Sequence, residues 1–256
     1  MTRPALPDSF TQVPLAHRAL HDIHDGRPEN SRAAILAAVD AGYGIEIDVQ
    51  LSADGAAMVF HDYHLERLTD AQGAVQLLSA AELKAIALRG GQEGIPDLPE
   101  VLATIAGRVP LLIELKDQDG AMGPKVGPLE AAVAEALEGY AGDVAVMSFN
   151  PHSVAEMQRL CPTVPRGLTT SAYVPSEWPL PVTVCDRLRE IPDYDTVGAG
   201  FISHELSDLD RPRVAALKEA GAVIACWTVR SPAEEAQARK VADTITFEGY
   251  AAPIRA

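Results

Sequence analysis

The segment Glu46-Ile47-Asp48 has a spacing of acidic side chains that could bind a cation. It lies in the short apolar stretch 44–49, which is typical of a buried strand. Residues two apart on a strand point to the same face, so both carboxylates would point into the protein while Ile47 packs outward. We predict a cation site at the end of this strand. The alternative is a pair of exposed acids on an edge strand.

The segment Glu114-Leu115-Lys116 repeats this arrangement at the end of the apolar stretch 111–115. Glu114 and Lys116 would share a face, and they could simply pair with each other, as buried ionisable groups usually do. Together with the first pair, Glu114 completes a set of three carboxylates that offers only hard oxygen ligands. Such a set favours one divalent cation, Mg²⁺ or Ca²⁺, over zinc or copper.

Two histidines follow other strand-like segments. His17-Arg18 comes after the stretch 13–16, and His61-Asp62 comes after the stretch 58–60. A single histidine is more often structural than catalytic, but each of these closes a strand and could meet the carboxylates. Histidine transfers protons near neutral pH, and arginine presents a planar fork that suits phosphate oxygens. These residue types therefore suit proton transfer beside a phosphate group.

Eight short apolar segments alternate with helix-like segments along the chain. The clearest strand candidates are 13–16, 44–49, 111–115, 144–147 and 223–227, and the weaker ones are 165–168, 197–202 and 243–247. Asn150-Pro151 and Ser231-Pro232-Ala233-Glu234 mark helix starts by their capping residues. Short apolar runs between helices predict buried parallel strands. Eight such units favour an α/β fold, a (β/α)8 TIM barrel, over an open parallel sheet.

Two regions interrupt this alternation. A turn at 52–55 is so short that it predicts a hairpin after the second strand, and 62–96 then form a long connection with a helix starting at Ser79. The stretch 169–196 reads as irregular. We expect both regions to lie over a substrate site, because active sites of barrels are built from βα loops. The chain 1–256 is predicted to be a single domain with 62–96 as an insertion.

The composition limits the kinds of molecule with which the protein is expected to interact. The formal net charge of -15 repels nucleic-acid phosphates, so nucleic acid is not an expected partner. Three scattered cysteines fit a reducing cytosol and lack the spacing of a zinc site. The start of the chain lacks the apolar run of a signal peptide, and no stretch approaches the roughly 20 apolar residues of a membrane span. We expect a cytoplasmic protein without a membrane span, and the sequence leaves its oligomeric state open.

The ordered set of motifs resembles the glycerophosphodiester phosphodiesterase family. The motifs read His17-Arg18, Pro28-Glu29-Asn30, Glu46-Ile47-Asp48, Asp54-Gly55, His61-Asp62, Pro96-Asp97-Leu98, Glu114-Leu115-Lys116 and Trp227-Thr228-Val229. Each motif alone is weak evidence. Together they follow the order of the family over nearly the whole chain.

This resemblance implies metal-dependent hydrolysis of a small glycerophosphodiester to glycerol 3-phosphate and an alcohol. The nucleophile it implies is water or the neighbouring glycerol hydroxyl. By position it assigns the metal ligands as Glu46, Asp48 and Glu114, the general acid and base as His17 and His61, the phosphate-binding cations as Arg18 and Lys116, and the pocket walls as Phe149 and Trp227. Both aromatic residues could equally be ordinary packing.

The sequence departs from the family pattern at three places. Ala19 stands where the family has glycine, Arg230 replaces an asparagine, and the last strand runs into Glu248-Gly249 instead of Thr-Asp-x-Pro. These departures remove no expected ligand or histidine, so they bear more on substrate choice than on chemistry. His204 is a further candidate for substrate contact.

Two other functions remain open at this stage. One is hydrolysis of lysolipids in the manner of a lysophospholipase D, against which the lack of a basic amphipathic helix argues. The other is a non-catalytic barrel that binds phosphodiesters, against which the complete set of acids and histidines argues.

Overall fold

The apolar segments of the chain form a closed barrel of eight parallel strands in the computed structural model, which describes residues 3–254. The strands, with one additional strand outside the barrel, are β1 (Leu15–Ala16), β2 (Gly44–Leu51), β3 (Ala57–Val59), β4 (Leu111–Leu115), β5 (Val144–Ser148), β6 (Arg166–Thr170), β7 (Phe201–Glu205), β8 (Val223–Val229) and β9 (Thr244–Phe247). The barrel closes because β1 pairs with both β2 and β9, with Leu15 opposite Gly44 on one side and Thr246 on the other. The extra strand β3 pairs antiparallel with β2.

Helices connect the strands. They are α1 (Ser9–Gln12), α2 (Arg32–Ala41), α3 (Ala80–Ala85), α4 (Leu98–Ile105), α5 (Pro128–Ala136), α6 (Pro151–Leu160), α7 (Val182–Arg189), α8 (Pro212–Glu219) and α9 (Pro232–Ala238). The predicted starts are confirmed: the side chains of Asn150 and Ser231 accept hydrogen bonds from the first turns of α6 and α9. Such caps satisfy amide groups that the helix leaves unpaired. No helix in 3–254 has the length and apolarity needed to cross a membrane.

The alternation along β2 separates the packing face from the barrel interior. Ile45, Ile47 and Val49 are buried in the main hydrophobic core, together with residues of the surrounding helices. Glu46 and Asp48 therefore point to the other face, into the barrel. A second apolar cluster consists of Phe10, Leu15, Leu112, Ala145, Met147 and Phe201. Met147 is opposite Glu114 across β4 and β5, so this cluster borders the acidic side chains.

The structure corrects three details of the predicted elements. The strand predicted at 197–202 is Phe201–Glu205, because Gly198 has φ 60° and the preceding residues form a turn. The stretch 169–196 is not wholly irregular, since it contains the end of β6 and all of α7. β2 continues to Leu51, so its acidic pair lies in the middle of the strand rather than at its end.

The predicted hairpin and insertion have their own small core. β2 and β3 form the hairpin, with Val49 opposite Val59, and α3 begins at the capping box of Ser79 and Glu82. Seven buried apolar side chains pack together here, namely Met58, Phe60, Leu65, Val75, Leu83, Leu88 and Ile95. This packing holds the segment that carries His61 against the barrel.

Candidate active site

A cavity of about 220 Å³ opens at the mouth of the barrel. The nine side chains singled out from the sequence all line it, namely His17, Arg18, Glu46, Asp48, His61, Glu114, Lys116, Phe149 and Trp227. They come from β2, β4 and β8 and from the segments that follow β1, β3, β4 and β5. The parallel barrel brings them together because the carboxyl ends of its strands meet at one mouth.

Three carboxylates form the centre of this cavity. Glu46, Asp48 and Glu114 each offer an oxygen atom, and these atoms lie within 4.8 Å of one another. Asp48 and Glu114 are directly opposite each other across β2 and β4, and all three residues are buried. Burial raises the pKa of Glu46 well above its ordinary value, and repulsion from the other two carboxylates adds to the rise. The cluster therefore favours a positively charged partner.

The Lys116 ammonium offsets part of this negative charge. Its Nζ lies 2.7 Å from Asp48 Oδ1 and 2.6 Å from Glu114 Oε1. Burial opposes ionisation of Asp48, but Lys116, His61 and Arg18 outweigh it and hold the pKa of that carboxyl far below its usual range. The pairing of Glu114 with Lys116 that the sequence left open is therefore present, although the ammonium is shared with Asp48.

The remaining charge balance fits a hard divalent cation. Within residues 3–254, no Lys or Arg side chain forms an ion pair with Glu46, whose carboxylate accepts a hydrogen bond from the backbone N–H of Arg18 at 2.9 Å. The Arg18 guanidinium pairs with Glu29 at 2.7 Å, and its Nε lies 3.6 Å from Asp48 Oδ2. Three carboxylates thus face one ammonium and one guanidinium that is shared with Glu29. Carboxylate oxygens with excess negative charge are the donor set that Mg²⁺ and Ca²⁺ prefer.

His17 is held by a carboxylate from the other end of the chain. Its Nδ1 lies 2.6 Å from Oε2 of Glu248, and Oε1 of Glu248 accepts a hydrogen bond from Arg230 Nε at 2.7 Å. Burial lowers the pKa of His17, although the hydrogen bond to Glu248 opposes this shift. The same contact, with His21 nearby, holds the pKa of Glu248 far below its usual range.

His61 is held in the same manner by its neighbour in sequence. Its Nδ1 lies 2.6 Å from Oδ1 of Asp62. Arg67 donates to both oxygens of Asp62, at 2.6 and 2.8 Å, and also to Glu29. Burial opposes ionisation of Asp62, but hydrogen bonds from His61 and Arg67 keep the pKa of its carboxyl far below the usual range.

Both imidazoles thus have one ring nitrogen committed to a carboxylate. The carboxylate accepts a hydrogen bond from the Nδ1–H group, which leaves Nε2 as the nitrogen that exchanges protons. Two such imidazoles beside a candidate cation site could transfer two protons in one reaction.

Comparison with known proteins identifies the family to which this site belongs. The sequence model of the glycerophosphoryl diester phosphodiesterase family matches residues 17–245, a span that includes both histidines and all three carboxylates. The chain belongs to this family.

Individual members of the family and its solved structures agree with this assignment. A glycerophosphodiester phosphodiesterase of Caldanaerobacter subterraneus subsp. tengcongensis is 30% identical over 160 residues, which cover 59% of this chain and 65% of that protein. One of Bacillus altitudinis is 32% identical over 152 residues, which cover 56% of this chain and 61% of that protein. These matches span less than two thirds of either relative. A phosphodiesterase of Oleispira antarctica, solved with its product sn-glycerol-3-phosphate, has 26% identity and a TM-score of 0.76 over 94% of both chains.

Sequence reasoning missed Glu248 and Arg230, which it noted only as departures from the family pattern. Ala16 lies opposite Phe247 across β1 and β9, so the residues that follow, His17 and Glu248, emerge side by side. Closure of the barrel between its first and last strands therefore creates this contact. The available signal was an acidic residue directly after the last strand of a predicted closed barrel.

The first loop keeps a backbone shape that glycine would adopt more easily. Arg18 and Ala19 have φ angles of 52° and 65°, in the left-handed region. This conformation costs a non-glycine residue roughly 1–2 kcal/mol. Hydrogen bonds from the backbone N–H groups of Arg18 and Ala19 to the side chain and carbonyl of Glu46 hold the loop there. The loop thus directs the Arg18 N–H at the carboxylate cluster.

His204 does not reach the cavity, contrary to its candidacy as a substrate contact. It is fully buried on β7, where Nδ1 lies 2.8 Å from the Thr170 hydroxyl and Nε2 lies 3.1 Å from the Asp208 carbonyl. Its neighbour Ser203 occupies the opposite face of the strand. Both ring nitrogens of His204 have hydrogen-bond partners, so the residue links β7 to β6 and to the turn that follows β7.

Proposed function

We propose that the chain hydrolyses glycerophosphodiesters to glycerol 3-phosphate and an alcohol, with one divalent cation and two histidines. The observation that carries this proposal is the convergence of three buried carboxylates and two carboxylate-held histidines on one cavity. Membership of the family supports the reaction type. The Oleispira antarctica neighbour, with its product sn-glycerol-3-phosphate bound, supports a small glycerol phosphate ligand.

Glu46, Asp48 and Glu114 would hold the cation, Mg²⁺ or Ca²⁺. When bound, the cation supplies positive charge that stabilises the phosphate oxygens as negative charge grows at phosphorus. Arg18 and Lys116 would contact the same phosphate group. Their own acidic partners fix both side chains in place, so these positive charges need little reorganisation during the reaction.

We assign His17 the role of general base and His61 that of general acid. Burial lowers the pKa of His17, so its imidazole is neutral near pH 7 and can take a proton from the attacking hydroxyl. Glu248 then stabilises the imidazolium that forms. His61 gives a proton to the leaving alkoxide as the phosphorus–oxygen bond breaks. Asp62 holds His61 through Nδ1, so the proton leaves from Nε2.

The attacking hydroxyl is that of water or of the neighbouring glycerol carbon. Attack by the glycerol hydroxyl would give a cyclic phosphate, which a second step with water would open to glycerol 3-phosphate. Phosphorus NMR during turnover distinguishes these routes. A transient signal of a cyclic phosphodiester appears only if the glycerol hydroxyl attacks.

The decisive experiment measures glycerol 3-phosphate release from glycerophosphocholine and glycerophosphoethanolamine. It is performed with EDTA and then with Mg²⁺ or Ca²⁺ restored, and lysophosphatidylcholine serves as the lipid comparison. We expect EDTA to abolish turnover of the diesters and one cation to restore it. Turnover of the lysolipid alone would indicate the lysophospholipase-D reaction, and binding without any turnover would indicate a non-catalytic barrel.

A matched variant tests the cation site without relying on activity. We expect Mg²⁺ or Ca²⁺ to raise the Tm of the native protein and to leave that of Glu46→Gln nearly unchanged. The raised pKa of Glu46 means that the cation-free protein loses stability as pH rises above the ordinary glutamate value. The amide removes this loss, so Glu46→Gln should melt higher than the native protein in EDTA at pH 8. If neither cation changed the Tm of the native protein, the assignment of Glu46, Asp48 and Glu114 as ligands would be contradicted.

A further inference from the structure

A second cavity, of about 440 Å³, adjoins the first. The two cavities share His61, Glu114, Lys116, Phe149 and Trp178 as lining residues. His61 therefore stands at the boundary between them. If His61 protonates the leaving alkoxide, the alcohol departs on the side of the second cavity. This placement makes the second cavity the natural position of the alcohol part of a bound diester.

Three aromatic side chains line the second cavity. Tyr63, Phe149 and Trp178 contribute to it, and Trp178 is packed against both Phe149 and Tyr173, with ring centroids 5.1 and 4.8 Å apart. The packing fixes the indole in place. Faces of aromatic rings attract cations, and quaternary ammonium groups are the ligands that such groups of rings bind best.

The charged groups of this cavity are predominantly negative. Asp117 is buried, and its two oxygens accept hydrogen bonds from three backbone N–H groups and from the Asn150 amide, none of which carries a charge. Among the described lining residues, Lys116 is the one lysine or arginine, and two carboxylates already neutralise it. Burial raises the pKa of Tyr63 to about 12, and the charge of Asp117 adds to the rise.

We propose that the second cavity binds the alcohol part of the substrate and selects amino alcohols with a cationic nitrogen, of the choline type. This inference rests on the proposed hydrolysis of glycerophosphodiesters. The aromatic rings contact the ammonium group, and the carboxylate of Asp117 supplies the long-range attraction. Alcohols that carry a phosphate or carboxylate are repelled by the same charge.

A pair of isosteric substrates tests this selectivity. Glycerophosphocholine is compared with glycerophospho-3,3-dimethylbutanol, in which carbon replaces the nitrogen, so that shape is kept and charge is lost. We expect kcat/KM to be roughly 3- to 30-fold higher for the charged substrate. Tyr63→Leu and Trp178→Leu should each reduce this ratio, whereas Tyr63→Phe, which keeps the ring, should preserve it.

Equal kcat/KM for the two isosteres in the native enzyme would overturn the inference while leaving the proposed function intact. A ratio that both leucine variants leave unchanged would also overturn it. Failure of both diesters to release glycerol 3-phosphate would contradict the proposed function instead. In that case, the ratio of Kd values for the two diesters, measured by calorimetry on the native protein and the same variants, tests the cavity directly.

Discussion

The site contains two sets of histidine, carboxylate and arginine that have the same chemistry and different origins in the chain. His61, Asp62 and Arg67 lie within seven consecutive residues, next to the small core of the insertion. His17 and Glu248 are 231 residues apart, and Arg230 comes from a third segment. The first set requires only local folding to form its hydrogen bonds. The second exists only when the barrel has closed between β1 and β9.

The two sets also differ in exposure. The side chain of His17 is 13% exposed and that of His61 is 30% exposed. Burial lowers the pKa of His17. We expect this difference in depth to give the two dyads different proton-transfer roles. The predictions below test this difference, from the largest expected effect to the smallest.

Removal of either imidazole should have the largest effect. His17→Ala and His61→Ala should each reduce kcat by roughly 10²- to 10⁴-fold, the usual contribution of a positioned acid or base. A diester of glycerol phosphate with p-nitrophenol, whose leaving group needs no proton, should restore most of the activity of His61→Ala but not of His17→Ala. Steady-state kinetics with both substrates provides the measurement.

The exposed His24 offers a matched control for these variants, because it lies outside the cavity. His24→Ala should keep native activity. If the p-nitrophenyl diester restored His17→Ala instead, the acid and base roles would have to be exchanged. Near-native kcat in either alanine variant would rule that histidine out of proton transfer.

Loss of charge on the carboxylate partners should have a smaller effect. Glu248→Gln and Asp62→Asn keep the shape of the side chain but remove the charge that orients and stabilises the imidazole. We expect each to reduce kcat by roughly 10- to 100-fold, with KM changed much less. Circular dichroism should show native folding in both variants. A large rise in KM at constant kcat would instead indicate that the carboxylate supports substrate binding.

The pH dependence of kcat/KM should distinguish the role of Glu248 from that of Asp62. Glu248 raises the pKa of His17, partly offsetting the effect of burial. Glu248→Gln should therefore lower that pKa further and move the acidic limb of the kcat/KM profile towards lower pH. Asp62→Asn should leave this limb in place if His17 is the base. A shift of the acidic limb towards higher pH in Glu248→Gln would contradict the assignment.

The arginines should have the smallest effects on turnover. The side chains of Arg230 and Arg67 are 58% and 47% exposed, and exposed ion pairs contribute about 0–1 kcal/mol each. Arg230→Gln and Arg67→Gln should therefore change kcat less than the carboxylate variants do. Arg67 also joins Asp62 to Glu29, so its variant should lose a few degrees of Tm while Arg230→Gln loses fewer. A Tm of Arg67→Gln equal to that of the native protein would show that the Arg67 network adds no stability.

The residues of β2 show why so much of the site was predictable. Strand alternation alone places Glu46 and Asp48 on one face and Ile47 on the other, and the structure has this arrangement. Asn150 and Ser79 likewise mark helix starts through contacts with their own first turns. By contrast, the strand predicted at 197–202 was displaced, because the turn at Gly198 depends on backbone geometry that apolarity does not report.

The sequence by itself determined what depends on near neighbours: strand alternation, helix caps, the hairpin, the adjacent pair of His61 and Asp62, and the ordered motifs that indicate the family. Only the tertiary structure decided the partner of His17, the pairing of Glu248 with Arg230, the burial of His204 away from the cavity, and the second cavity beside His61. Each of these joins segments that are distant in the chain. Their positions are set by barrel closure and by how the loops pack at its mouth, which strand alternation and helix caps do not report.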